Sequence, residues 1–166
     1  MIHKTPSLMW TAPVLVFLSS VGCSRPDEPN VLDHMPTDIV LIEDQAFDVW
    51  IAESAEEVQR GLMFVTKEEM ACLEDGTERG MLFVFDYDRT TGFWMRNTII
   101  PLDIAFIRAD GRIVTIHTMA PLDERNRPPS EPYRYALEVN ANVFSRLGIR
   151  SGDLVQIPKS VLKRSH

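Results

Sequence analysis

Cysteine is scarce in this chain: Cys23 and Cys72 are the only two in 166 residues. A disulfide-stapled scaffold is thereby excluded. Positive charge is short as well, since 17 Lys and Arg against 24 Asp and Glu leave a formal net charge of −7 and a pI near 5.1. Nucleic-acid binders gather Lys and Arg to neutralise phosphates, so this balance argues against nucleic acid as a partner. The longest apolar run, Leu8–Leu18, falls short of the ~20 residues that span a bilayer as a helix. The sequence carries no nucleophile-elbow Ser with His and Asp partners, no glycine-rich phosphate loop and no zinc-ligand spacing. It therefore predicts no catalytic constellation, no metal site and no cofactor, and it shows no internal repeat.

What is present fits one domain. A hydrophobic fraction of 45% and a charged fraction of 25% are ordinary for a globular chain of this length and are not those of a disordered one. The first residues read as an address. His3 and Lys4 precede the uncharged Leu8–Leu18, and small residues then run into Gly22-Cys23-Ser24, the pattern of a signal peptide at 1–23. The Gly-Cys step resembles a bacterial lipobox, with Ser20 where Leu is usual three positions before the Cys. Lipidation of Cys23 would anchor the mature chain to a membrane. Plain cleavage with release, or an uncleaved anchor, are the alternatives. Residues 24–37 are polar and proline-containing and read as a flexible tether. A single folded domain follows at 38–158, then a short basic tail at 159–166. The expected location is exported: a periplasmic or other extracytoplasmic lipoprotein tethered to its membrane. Cys72 is then a free thiol, or it bridges to an unlipidated Cys23.

Within the domain, Ile39–Ile42 and Phe47–Ile51 read as strands. Ser54-Ala55-Glu56-Glu57 is a capping box opening a short helix that Gly61 ends. Thr66–Met70 reads as a second short helix or a turn. Met81–Phe85 is a strand covered on both faces, Asp86–Gly92 a loop, and Phe93–Thr98 a further strand. Ile104–Ala109 and Arg112–His117 flank Asp110-Gly111, predicting a two-residue hairpin set in mid-sheet. Its register pairs Asp103 with Thr118, Ile104 with His117 and Ile107 with Val114. Pro121–Pro132 is a long proline-rich loop, functional or mobile. Tyr135–Val139 and Leu154–Ile157 are strands, and Asn142–Gly148 is a helical turn. The fold class expected is α+β, predominantly β: a compact antiparallel barrel-like or sandwich sheet with two or three short helices.

Five segments occur in order: Arg60-Gly61-Leu62-Met63, Gly80–Phe85, Phe93-Trp94-Met95-Arg96-Asn97-Thr98, Pro101-Leu102-Asp103-Ile104 and Leu137-Glu138-Val139. Together they resemble the family called domain of unknown function 192, over roughly residues 38 to 158. The resemblance implies a compact, mostly β domain with short helices, often exported in bacteria. It implies no activity, substrate or cofactor.

The polar residues of these segments are the candidate ligand-binding set: Arg60, Arg96, Asn97, Thr98, Asp103 and Glu138. The reading favoured for Asn97, Thr98 and Asp103 is structural, with Asn97 and Thr98 bonding backbone at a strand end and Asp103 capping the turn around Pro101. In the functional reading, Arg60 or Arg96 holds an anionic group beside Asn97 and Asp103. An Asp103–His117 dyad is disfavoured by the hairpin register, which puts the two on opposite faces. The reading favoured by the residues is a non-enzymatic module for a small ligand or an envelope protein. One alternative is an envelope-acting hydrolase using Asp103 and Glu138 as acid and base. Another is Cu(I) binding through Met63, Met81 and Met95, whose thioethers suit that ion, against the plainer role of methionine as core filler.

Overall fold

The computed structural model describes residues 32–162. The expected signal peptide, Cys23, most of the expected tether and the end of the expected basic tail lie outside these residues. The described chain forms one seven-stranded sheet in the order β5-β4-β6-β3-β2-β1-β7, with short helices against it. The strands are β1 (Thr37–Ile42), β2 (Gln45–Ala52), β3 (Glu78–Arg89), β4 (Leu102–Ile107), β5 (Ile113–Met119), β6 (Tyr133–Asn140) and β7 (Val155–Gln156). The helices are α1 (Ala55–Arg60), α2 (Val143–Leu147) and α3 (Lys159–Leu162), preceded by a single 3-10 turn at Leu32–His34. The expected class, α+β and predominantly β, is the one found.

The sheet curls into a half-barrel, and side-chain alternation divides its core in two. All seven strands point aliphatic residues to the inner face, among them Val40, Val49, Leu82, Ala105, Ile113, Leu137 and Val155. Phe144 of α2 and Val161 of α3 fill this side. The outer face is richer in Met and aromatics, with Trp50, Met81, Phe83, Phe106 and Tyr133. Leu62, Val65, Met70, Met95 and Ile100, from the connections after α1 and β3, cover it. Both layers are closely buried, which is why Met81–Phe85 and Ile104–Ile107 read as continuous apolar runs.

Four local expectations change in the structure. First, β2 and β3 pair in parallel, Phe47 opposite Glu78 through Ala52 opposite Phe83. Residues 53–77, including α1, form the crossover that a parallel pair requires. Second, β3 runs on to Arg89 instead of stopping at Phe85; a register irregularity after Val84 brings Arg89 opposite Tyr133. Third, Phe93–Thr98 is not a strand. Phe93 makes one bridge to Arg127, the Met95 N–H reaches the Asp123 carbonyl at 2.9 Å, and Asn97 turns the chain at φ 55°. Fourth, the hairpin keeps its expected register from Asp103 opposite Thr118 to Phe106 opposite Thr115, then slips so that Ile107 faces Ile113. The turn is the wider Arg108–Gly111 type, closed by the Gly111 N–H on the Arg108 carbonyl at 2.9 Å, with Gly111 at φ +86°. This is the G1-bulge solution for three-residue hairpin loops.

The hairpin also lies at the end of the strand order rather than in mid-sheet. Its outer edge is nevertheless covered. The proline-rich loop lies along it: the Ser130 N–H donates to Thr115 Oγ1 at 2.8 Å, Ser130 Oγ to the Val114 carbonyl at 3.1 Å, and His117 Nε2 pairs with the Pro128 carbonyl at 2.9 Å. At the turn end, β5 reaches the residues flanking β7. Arg112 bridges Leu154, and the Val155 N–H donates to the Gly111 carbonyl at 2.8 Å. A curled sheet whose end strands meet at one end leaves little backbone edge unpaired.

Candidate functional site

On the outer face, a cavity of about 200 Å³ opens between α1, the outer end of β3, the Thr91–Thr98 connection and β6. Glu138 forms part of its lining from the sheet. On β6 it stands opposite Met81 of β3 and Ile104 of β4, so it shares the outer face with Ala136 while Leu137 and Val139 point inward. Gly80 lets β3 approach β6 here. A Cβ at Gly80 would lie 2.5 Å from the Glu138 carbonyl oxygen, a contact no side chain tolerates.

Glu138 is only 4% exposed. Among the described residues none donates a hydrogen bond to its carboxyl. Burial disfavours the charged form of an unpartnered acid, and it raises this carboxyl to about 8. At neutral pH the group is therefore mostly protonated, with one O–H to donate toward the cavity.

One wall is the end of α1 and the segment that follows. Ser54 and Glu57 form the reciprocal capping box read from the sequence, with Ser54 Oγ accepting from the Glu57 N–H and Glu57 accepting from the Ser54 N–H at 2.8 Å. Gly61 ends the helix. Arg60, Leu62 and Met63 thereby face the cavity. The opposite wall carries Thr91, Phe93, Trp94, Arg96 and Thr98, with Phe83, Phe85 and Tyr133 completing an aromatic lining. Phe93 meets Phe83 edge-on at 4.9 Å, and the Tyr133 hydroxyl donates to the Thr91 carbonyl at 2.8 Å. These contacts set the rings before any ligand arrives.

Three guanidinium groups line the cavity, and they differ. Arg96 lies over the Trp94 ring at 4.2 Å and pairs with Glu124 at 3.0 Å. Arg89 lies over Phe85 and Tyr87, at 5.2 and 5.3 Å, and donates to the Tyr87 hydroxyl at 3.1 Å. Arg60 lies over Phe64 at 5.9 Å. Among the described residues, neither Arg60 nor Arg89 has a carboxylate partner.

Of the six residues singled out from the sequence, the cavity gathers Arg60, Arg96, Thr98 and Glu138. Asn97 lies behind the wall. Its carbonyl accepts the Phe64 N–H at 2.9 Å and its side-chain amide approaches the Met63 sulfur at 3.9 Å, so it ties the two walls together. Asp103 is on the other face of the sheet. Its carboxylate accepts from the Thr118 hydroxyl at 2.6 Å and from the Phe144 N–H at 3.3 Å. Asn142, at the N-cap of α2, makes no side-chain capping bond. Asp103 supplies that cap from the sheet, rather than capping the turn around Pro101.

Asp103 is paired with Val139, and Glu138 with Ile104. The sheet thus separates the two carboxyls that a shared acid–base pair would need in one cleft. His117 is also parted from Asp103, as the register predicts, and its ring packs edge-on to Phe106. Met81 and Met95 are buried in the outer apolar layer, while Met63 lines the cavity. Cys72 is exposed and free. Asp123, ordinarily an exposed loop acid, organises the proline-rich loop. Bonds from Arg125 and then Arg127 hold it well below the usual carboxylate range.

Sequence reasoning missed Arg89, Thr91 and Tyr133. Arg89 reads as loop because the irregularity in β3 that carries it to the cavity has no marker in the sequence. Trp94 was visible within a motif, but only the fold shows that it stands at a cavity wall.

The profile of domain of unknown function 192, described as uncharacterized ACR, matches residues 39–157. The chain belongs to this family. Two crystal structures share the fold. One is a protein of unknown function from Novosphingobium aromaticivorans DSM 12444, 32% identical, covering 78% of this chain and 91% of its own, with a TM-score of 0.67. The other, from Sinorhizobium meliloti 1021, is described as a candidate transcription regulator. It is 34% identical, covering 74% of this chain and 94% of its own, with a TM-score of 0.66. No curated protein matches the chain.

Proposed function

We propose that this domain is a binding module for a small organic ligand, received in the cavity above Glu138. The observation that supports this most directly is a buried carboxyl, 4% exposed, that faces the cavity without a partner among the described residues. Taking an acid this far out of water costs stability, and its hydrogen-bonding atoms are left for whatever enters the cavity. Perturbed, unpartnered acids in clefts concentrate at functional sites. The aromatic walls and the few convergent polar groups fit the general make-up of small-molecule sites. A paired-acid hydrolase is disfavoured by the separation of Asp103 from Glu138. The regulator description belongs to the Sinorhizobium protein. For this chain, a net charge of −7 weighs against DNA as the target.

The test is a thermal-shift screen of the full chain against small polar and aromatic compounds, repeated on Glu138→Leu. Compounds that stabilise the wild type and lose that effect in the variant support the site. A set of binders equally effective on both would sink it.

We also propose that the domain works outside the cytoplasm, held to a membrane by lipid on Cys23. The leader pattern alone supports this. Cys23→Ser should move the protein from the membrane fraction to the soluble fraction and abolish incorporation of labelled palmitate. Unchanged fractionation and labelling would remove the anchor.

A further inference from the structure

We propose that the ligand is a small organic anion whose acid group is held by Arg60 and Arg89, with a hydroxyl or carbonyl group at its other end against Glu138. This rests on the cavity being a ligand site, and it names what the site selects.

The charge of the lining carries the argument. A protein with a net charge of −7 places three guanidinium groups around one cavity, and among the described residues only Arg96 has a carboxylate partner, Glu124 at 3.0 Å. Arg60 and Arg89 are stacked on aromatic rings instead. A stacked guanidinium spends its face on the ring and keeps in-plane N–H groups free for a carboxylate, sulfate or phosphate oxygen. Both groups are half-buried, where an opposite charge is screened less than at an open surface. A cationic ligand would meet this positive lining with no carboxylate free to receive it at neutral pH, because Glu138 holds its proton. A neutral ligand would leave two charges unmatched.

Size limits the anion. A cavity of about 200 Å³, open on one side, lies at the small end of ligand sites and suits a single ring or a short chain. The aromatic lining favours a flat or apolar body between the two polar ends. Glu138 adds a single hydrogen-bond donor on the sheet side, suited to an acceptor oxygen.

Isothermal titration calorimetry on the full chain, with three matched probes, tests this. The probes are 4-hydroxybenzoate, 4-hydroxybenzamide and benzoate. The first should bind tightest. Replacing the acid by the amide should weaken binding roughly tenfold to a hundredfold, the range of one or two charge-assisted hydrogen bonds. Removing the hydroxyl should weaken it less. Arg60→Gln and Arg89→Gln should each reduce affinity for 4-hydroxybenzoate about tenfold while leaving the amide within about twofold. Arg108→Gln, at a surface pair with Asp110 and Glu131, is the control and should change nothing.

Amide binding as tight as the acid, or arginine variants that leave the acid unaffected, would overturn the anion assignment while keeping the cavity as a ligand site. No binding by any probe, with the resonances of Glu138 and Tyr133 unmoved in nuclear magnetic resonance spectra, would overturn both. Circular dichroism melts of each variant separate lost binding from lost folding. A variant that fails to fold is replaced by Arg60→Lys or Arg89→Lys, which should retain the preference for the acid over the amide.

Discussion

Asp103 and Glu138 lie one sheet position apart, on β4 and β6, yet the two faces of the sheet treat them differently. The inner face is an aliphatic layer filled by α2 and α3, and it admits Asp103 only with its oxygens occupied by Thr118 and the α2 backbone. The outer face is built from rings and thioethers, is covered mostly by connections together with the short α1, and leaves Glu138 facing a cavity. A fully bonded buried carboxylate is structural and holds a helix to the sheet. An unbonded one is a cost that the rest of the fold must offset. Burial alone therefore does not mark a site; burial without partners beside free space does.

The largest expected effect tests the outer face. The folded protein keeps a proton on Glu138 up to about pH 8, while in the unfolded chain the group releases it near its ordinary value of 4.5. Between those values the native state binds more protons than the unfolded one, so stability falls as pH rises through the window and levels off above it. The loss attributable to Glu138 is on the order of a few kcal/mol. Urea melts of wild type and Glu138→Gln from pH 4 to 9 should diverge across that window, with the variant the more stable at pH 9. Parallel curves would mean that Glu138 is solvated or paired, and the contrast between the faces would disappear.

Asp103→Ala tests the inner face with a smaller effect of opposite sense. It strips the cap from α2 and leaves the Thr118 hydroxyl without its partner, costing about 2–3 kcal/mol. Chemical denaturation measures it. A cost under about 0.5 kcal/mol would place Asp103 with ordinary surface acids.

Ser54→Ala is the smallest of the three. Losing the N-cap of α1 should cost about 1 kcal/mol. Because α1 forms a wall of the cavity, the variant should also bind 4-hydroxybenzoate more weakly than a surface variant of equal stability. Equal binding would show that the wall holds its shape without its cap.

The two faces were unequally legible from the sequence. The capping box at Ser54, the pairing of Asp103 with Thr118 and the separation of His117 from Asp103 follow from local rules of spacing and period, and the structure has all three. The parallel β2–β3 pair was not legible, because parallel pairing depends on a crossover whose path no short-range pattern records. Phe93–Thr98 looked like a strand because its apolar residues are dense, but Phe93 and Met95 pack down on the outer face of the sheet and Trp94 stands at the cavity wall, so the segment needs no ladder. For Glu138, the residue type was visible and its isolation was not, since a missing partner is a property of everything around it. Arg60 and Arg96 were singled out as anion holders. The fold adds Arg89 and shows that Arg96 is already matched by Glu124.

The placement of β7 beside β1 bears on when the domain can fold. Residues 155–156 complete the ladder begun by residues 41–42, and the residues before them close the turn end of β5. Leu41 and Ile42 cannot meet Gln156 and Val155 until every described strand between them has been made. Contacts of such long sequence separation slow folding and postpone its completion. The half-barrel is consequently a structure that closes late, once β1 and β7 have met across the chain that separates them.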